Sequence, residues 1–296
     1  MNNVTNQQFK RVWFITGASR GLGALIAQAA LDDGNAVVAT GRNAATIAER
    51  LGESPALLTV SLDVTNEAQA KAAVGAAIDR FGRIDVLVNN AGFGLLAAIE
   101  ESGDAEVRRI YETNVFGLLN VTRAVLPVMR KQRSGHVINT SSIVGYQAAA
   151  GVGVYSSTKF AVEGITEALH AELKPLGIHA TMIEPGFFRT DFLDTSSLVV
   201  GKTIIGDYED TSGKLRHLAG EINHNQPGDP AKLATAMVRL VDAQTPPLRL
   251  PLGTDTLKAL AEKNAYVTAE TETWKALAAS TDFPSSAFLA GPSSAD

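Results

Sequence analysis

The stretch TGASRGLG, residues 16–23, follows the apolar run Val12-Trp13-Phe14-Ile15 and precedes a segment that reads as helix. Three glycines at a strand-to-helix turn imply that something approaches the backbone there. At such a turn Gly17, Gly21 and Gly23 let the main chain come close to a pyrophosphate at the helix N-terminus, where free N–H groups and the helix dipole favour an anion. Glycines also serve the turn itself and tight helix packing, so this cluster alone leaves both readings open.

Outward from this turn, short β-branched runs alternate with helical patterns. The runs are RVWFIT near 11–16, AVVATG near 36–41, ALLTVSL near 56–62, IDVLVNN near 84–90, GHVINTS near 135–141 and IHATMIEP near 178–185. Several are apolar at consecutive positions, as strands buried on both faces must be. Between the third and fourth runs, Val74, Ile78 and Phe81 share one helical stripe, the crossover a parallel pair needs. Repeated βαβ units predict an α/β fold with a doubly wound parallel sheet, the Rossmann arrangement.

After Pro185 the pattern weakens. Residues 191 to about 226 show little periodicity and are expected to form a substrate lid. A helix restarts at Asp229 and Pro230, PPLRLPL near 246–252 reads as one more strand, and the segment around Trp274 as another helix. The expectation is a single domain over 1–284 with a C-terminal extension from about 253, and a weakly structured tail at 285–296.

Composition narrows the classes of function. The chain has 296 residues, 45% hydrophobic and 19% charged, ordinary proportions for a globular protein with a sizeable core. A net charge of -5 and no Lys/Arg-rich run argue against nucleic acid as a partner. There is no cysteine, which excludes disulfides, thiolate metal sites and a cysteine nucleophile. The segment MNNVTNQQFKR lacks an apolar signal core, and no stretch approaches the ~20 apolar residues that span a bilayer. A cytoplasmic location without membrane attachment is therefore expected.

Five motifs occur in order: TGASRGLG, NNAG at 89–92, SSIVGY at 141–146, YSSTK at 155–159 and PGFFRT at 185–190. Together they resemble the short-chain dehydrogenase/reductase family over about residues 11–190. The C-terminal half is similar, less specifically, to a bacterial subgroup related to hydroxysteroid dehydrogenases. The resemblance implies a nicotinamide cofactor held by Gly17, Ser19, Arg20, Gly21, Leu22 and Gly23 of the first turn. It adds Asp63 and Val64 beside the adenine, Asn90, Ala91 and Gly92 under the adenosine and ribose, and Pro185, Gly186, Phe188 and Thr190 near the nicotinamide. For Asn89 a structural role is favoured.

In this family an acidic residue at the end of the second strand commonly marks NAD. Here Gly41 and then Arg42 occupy that place. A missing carboxylate and an added guanidinium suit the 2'-phosphate of NADP, which a fixed cation can grip with charge-assisted contacts. The resemblance places Arg20 near the same phosphate. NADP(H) is the expected cofactor.

Tyr155 and Lys159 lie four apart and share a helix face. An unperturbed tyrosine, with a pKa of about 10, is a poor base near pH 7. A nearby ammonium is expected to favour the phenolate, which fits Tyr155 as general acid and base at a carbonyl or alcohol oxygen. By resemblance Ser142 hydrogen-bonds that oxygen as charge develops. Lys159 also binds the nicotinamide ribose, and Asn114 holds a water that links Lys159 to solvent. Asn114 falls on a stripe with Val107, Tyr111, Leu118 and Val121, where a structural amide satisfying a break in the helix is the competing explanation.

Phe93, Tyr146, Phe187, Phe188 and Phe192 follow motif positions at strand C-termini and either point to an apolar or aromatic small-molecule carbonyl or alcohol substrate or pack the lid against the sheet. The expected activity is NADP(H)-dependent carbonyl reduction or secondary alcohol oxidation. A non-catalytic NADP-sensing regulator is the main alternative, and a nucleotide-sugar epimerase or dehydratase a weaker one. Many relatives pair through the helices around 111–130 and 155–173, so a homodimer or homotetramer is expected. GKT at 201–203 is no phosphate loop, because Ser196 stands where a glycine is required. His217 and His224 lack metal-ligand spacing, so no metal is expected.

Overall fold

The computed structural model describes residues 9–283; the tail expected at 285–296 lies outside them. The chain runs β1 (Val12–Ile15), α1 (Gly21–Asp32), β2 (Ala36–Gly41), α2 (Ala44–Leu51), β3 (Leu57–Ser61), α3 (Glu67–Phe81) and β4 (Val86–Asn89). It continues with β5 (Gly94–Leu96), α4 (Asp104–Tyr111), α5 (Leu118–Gln132), β6 (Gly135–Thr140), α6 (Gly153–Leu173) and β7 (Ile178–Pro185). Then come β8 (Leu198–Val200), α7 (Lys214–Ile222), α8 (Pro230–Asp242), β9 (Arg249–Leu252) and α9 (Thr254–Ala279).

Seven strands form one parallel sheet in the order β3-β2-β1-β4-β6-β7-β9. Successive β1 residues go to opposite faces, as strand geometry requires. Val12 and Phe14 pack with α3, α5 and α6 residues such as Val74, Val125 and Leu169. Trp13 and Ile15 pack with Ile26 of α1 and Met237 of α8. All four are buried, which explains why the run is apolar without alternation. The chain builds outward from β1 to β3, then returns to β4, so the strand order reverses between β1 and β4. Open α/β sheets bind ligands above the strand C-termini at such a reversal.

Two expectations change. Residues 191–226 are not irregular throughout: β8 pairs in parallel with β5 as a two-stranded ribbon, and α7 follows a π-helical turn at Glu209–Gly213. The helix around Asn114 is not one continuous stripe either. A π-helical turn at Glu112–Gly117 separates α4 from α5. Val107 and Tyr111 therefore pack in a satellite cluster with Leu95 and Tyr155, whereas Val121 lies under the sheet.

Candidate active site

The glycines of the first turn divide their work. Gly17 and Gly21 take φ values of +68° and +54°, a region that disfavours side chains. Gly21 opens toward the cavity, with Thr190 Cβ as the nearest neighbour of an added methyl at 4.0 Å. Gly23 does not line the cavity: a Cβ there would meet the Gly17 carbonyl oxygen at 2.3 Å, so this glycine serves the packing of α1 against the turn. Asn90 laces the turn to the end of β4, its Nδ2 donating to the Thr16 carbonyl at 3.0 Å and the Gly17 carbonyl at 3.3 Å. Thr16 Oγ1 accepts from the backbone N–H groups of Asn90 and Ala91, each at 3.0 Å.

A cavity of about 830 Å³ rises from this turn. Ser19, Arg20, Leu22, Arg42, Asp63 and Val64 line it, as do Asn90, Ala91 and Gly92. Arg42 is exposed and makes no ion pair among the described residues. Arg20 instead donates from Nη2 to the Ser196 carbonyl at 2.5 Å, tying the turn to the lid. The Asp63 carboxylate accepts from the Thr65 N–H at 3.0 Å and its hydroxyl at 2.8 Å, which fixes the loop after β3.

Ser142, Tyr155 and Lys159 meet the same cavity farther along. Lys159 lies one helical turn after Tyr155, with its Nζ 5.8 Å from the phenol ring centre. The ammonium group donates to the Thr140 carbonyl at 2.7 Å. Burial pushes the Tyr155 phenol up to about 12, with the Ser142 hydroxyl opposing the shift. This corrects the expectation that the neighbouring ammonium prevails: Lys159 is itself buried, and that burial pulls its own pKa down to about 8 against the pull of Glu163.

Asn114 stands behind this group and does not line the cavity. Its Oδ1 accepts from Phe93 N–H at 3.1 Å, and its Nδ2 donates to the Phe93 carbonyl at 2.9 Å and Thr158 Oγ1 at 3.1 Å. Both amide protons are thus committed to protein, and the side chain bridges the π-helical turn, β4–β5 loop and α6. Asn89 is structural in the same sense, donating to Thr122 Oγ1 and Asn139 Oδ1 at 2.8 and 2.9 Å.

The remaining wall is apolar. Phe93, Phe187, Phe188, Phe192, Leu198 and Val199 line it, and the α7 side chains Leu215, Ala219 and Ile222 share one helix face toward it. Phe192 lies 5.9 Å from Tyr155, ring centre to ring centre. Tyr146, expected here, points elsewhere: its hydroxyl donates to Asn264 and its ring carries the Arg249 guanidinium at 5.4 Å. Pro185, Gly186 and Thr190 also border the cavity.

Several supporting residues have no local signature in the sequence. Asp255, in the first turn of α9, accepts from Phe187 N–H at 2.7 Å and fills the space a side chain at Gly186 would need. Glu101 is buried and pairs with Arg216 of α7 at 2.7 Å, while accepting from Ala98 and Ile205 N–H at 2.8 and 2.9 Å. Those backbone bonds, then Arg216, hold its carboxyl down at about 2. Arg249 joins the buried Glu163 and Glu184 beneath α6.

Residues 11–198 match the family model described as short chain dehydrogenase. The chain belongs to the short-chain dehydrogenase family. It is 36% identical over 269 residues to Oxidoreductase BOA17 of Botryotinia fuckeliana, covering 90% of this chain and 97% of that protein. It is 38% identical over 245 residues to the 3-ketodihydrosphingosine reductase of Bacteroides thetaiotaomicron, covering 82% and 88%. A solved short-chain dehydrogenase from Streptomyces avermitilis superposes with a TM-score of 0.85 at 38% identity, covering 92% of this chain and all of that one. At 28% and 26% identity lie a 3-ketoacyl-(acyl-carrier-protein) reductase from Brucella melitensis complexed with NADH and ElxO with NADP bound. Their TM-scores are 0.68 and 0.70, they cover 83% and 84% of this chain, and 97% and 100% of their own chains are matched.

Proposed function

We propose that this short-chain dehydrogenase is an NADP(H)-dependent carbonyl reductase or secondary alcohol dehydrogenase for apolar substrates. The observation that carries the reading is the convergence of Ser142, Tyr155 and Lys159 on a cavity that begins at a glycine turn. The residues present suit a dinucleotide. Gly21 leaves backbone open at the head of α1, and Arg42 offers an exposed guanidinium, without an ion pair among the described residues, where a 2'-phosphate would mark NADP.

The chemistry that NADPH would supply when bound here is a hydride for a carbonyl carbon. The chain supplies the rest: Ser142 donates a hydrogen bond to the carbonyl oxygen, and Tyr155 gives it a proton. A phenol with a pKa near 12 is fully protonated at pH 7, the state required of the donor in reduction. Lys159 would hold the cofactor ribose, and its ammonium near the Tyr155 ring would offset the negative charge left on the phenol oxygen once its proton is given. Phe192, Leu198 and the α7 face exclude water and favour an apolar body on the substrate. The 3-ketodihydrosphingosine reductase among the relatives is named for a long-chain ketone, which favours extending the substrate search to such compounds.

The test is consumption of NADPH and NADH against ketones and aldehydes of increasing length, with Tyr155→Phe alongside. NADPH-dependent turnover of apolar ketones that disappears in the variant is expected. Tight NADPH binding without turnover of any member would instead favour a sensing role.

A further inference from the structure

Glu163 lies four residues after Lys159 in α6, so the two share a helix face. Lys159 lines the cavity; Glu163, 5% exposed, stands behind it and does not. Arg249 of β9 pairs with Glu163, with the fully buried Glu184 of β7 at 2.8 Å, and with the exposed Glu167 of α6. The Tyr146 ring covers that guanidinium. Three carboxylates thus share one cation, an excess of negative charge that Arg249 alone does not balance.

The two oxygens of Glu163 face different ways. Arg249 donates to Oε2, whereas Oε1 is buried without a hydrogen bond of regular geometry among the described residues, as is Ser141 Oγ. Both meet the stem of Lys159 at one point, which Gly145 leaves free. A Cβ at Gly145 would collide with Ser141 Oγ and stand only 3.0 Å from Lys159 Cβ and 3.2 Å from Glu163 Oε1. The unpaired oxygen is therefore turned toward the lysine and the corner that runs from Thr140, the acceptor of Lys159, to Ser142. Burial and then Glu184 push the Glu163 carboxyl up to about 7, against the Ser141 hydroxyl and Arg249. It is largely ionised where Lys159, at about 8, titrates.

We propose that Glu163 is a positioning residue of the reaction, whose free carboxylate oxygen carries the charge that keeps Lys159 an ammonium while Tyr155 gives up its proton. An opposite charge nearby favours the charged form, and low polarity around the pair strengthens the attraction. The groups facing Glu163 are Lys159 and Glu167 from α6, Ser141 from the turn after β6, Glu184 from β7 and Arg249 from β9. Of the charged members only Lys159 borders the cavity. The inference rests on the reductase reading above for its consequence in turnover, not for the charge itself.

Glu163→Gln keeps the size of the side chain, and Arg249 keeps Glu184 and Glu167, so the fold is expected to hold. In the full chain carrying 13C-labelled lysine, the Lys159 side-chain signal is assigned by its absence in Lys159→Arg. Its titration midpoint should fall by about one pH unit in Glu163→Gln, and the alkaline limb of kcat/KM should move with it. Glu184→Gln removes another buried carboxylate from the same cation, but it also relieves the repulsion that keeps Glu163 protonated. There the Lys159 midpoint should stay or rise. A midpoint unmoved in Glu163→Gln, or lowered equally in both variants, would overturn the assignment, as would a lower rate at every pH with the limb in place. Should Glu163→Gln fail to fold, a midpoint lowered in Glu184→Gln still overturns it, and one held or raised supports it. The midpoints are read without turnover, so protein that reduces no carbonyl compound would defeat the reductase reading and leave this result standing.

Discussion

Lys159 Nζ donates a hydrogen bond to the carbonyl of Thr140, 2.7 Å away, and so fastens the second turn of α6 to the last residue of β6. Ser141 and Ser142 leave the strand from that point, so one bond sets the spacing between the serine and the tyrosine–lysine face. Burial brings Lys159 to about 8, so it is charged below that pH and neutral above it. The pH profile of kcat/KM for carbonyl reduction should fall above about pH 8 with unit slope. Lys159→Arg, whose cation does not titrate there, should lose that limb even if its rate is lower throughout.

The same shift predicts a stability signature of opposite appearance. The Lys159 pKa is lower in the folded chain than the ordinary 10.5, so between about 8 and 10.5 the unfolded chain holds more protons. Stability therefore rises with pH across that window on account of this residue. A Lys159→Met variant should show its largest relative gain in Tm at or below pH 7, and the gap to wild type should narrow as pH approaches 10. Thermal unfolding across a pH series checks it.

Tyr155→Phe removes the proton donor while leaving the ring packed against Leu95 and Val154. Reduction should slow by about 10²–10⁴-fold, the range for loss of a positioned general acid. The NADPH Kd should change less than threefold. Stopped-flow reduction beside binding titration separates the two.

Arg42 is exposed and free of ion pairs among the described residues, so its replacement carries little structural cost. Arg42→Asp should weaken NADPH binding about ten- to hundredfold, the loss of one to two charge-assisted contacts. NADH binding should be unchanged or improved. Equal effects on both cofactors would remove Arg42 from phosphate recognition.

Glu101 and Arg216 anchor the lid from beneath, with side chains 0% and 13% exposed. Arg216→Ala leaves a buried carboxylate facing only backbone N–H groups, and loss of one partner from a buried pair costs about 3–5 kcal/mol. The cost should appear locally: faster proteolysis within 198–222 and a raised KM for apolar ketones, with the NADPH Kd preserved. Limited digestion followed by mass analysis reads it directly.

Phe116 and Phe160 are 49% and 44% exposed on the α5 and α6 side of the molecule. Association of two copies through these helices would cover them. A dimer or larger species is expected in sedimentation, and Phe160→Asp should shift it toward monomer.

The sheet was legible because its strands are buried on both faces, and no other element produces six short apolar runs with crossover helices between them. The site motifs were legible because each sits at a strand end, where Gly, Asn and Ser depart from the surrounding apolar pattern. The elements within 191–226 were not: β8 and its partner β5 have three residues each, and α7 carries only Leu215, Ala219 and Ile222 as its stripe. Long-range partners such as Asp255 with Phe187, or Glu101 with Arg216, leave no periodicity at all. The protonation of Tyr155 is not legible for a similar reason. Spacing showed the lysine beside it, but the depth of burial that outweighs the lysine is a property of the assembled site.

Asp255 gives the site a particular order of completion during synthesis. The strip at Gly186–Phe187 is fixed from one side by Leu252, whose carbonyl accepts from Gly186 N–H at 2.9 Å, and from the other by the Asp255 carboxylate. Leu252 ends β9, the last strand, and Asp255 follows it, long after TGASRGLG has left the ribosome. A nascent chain can thus shape the glycine turn early yet lack a settled floor for its ligand until almost the whole sheet exists.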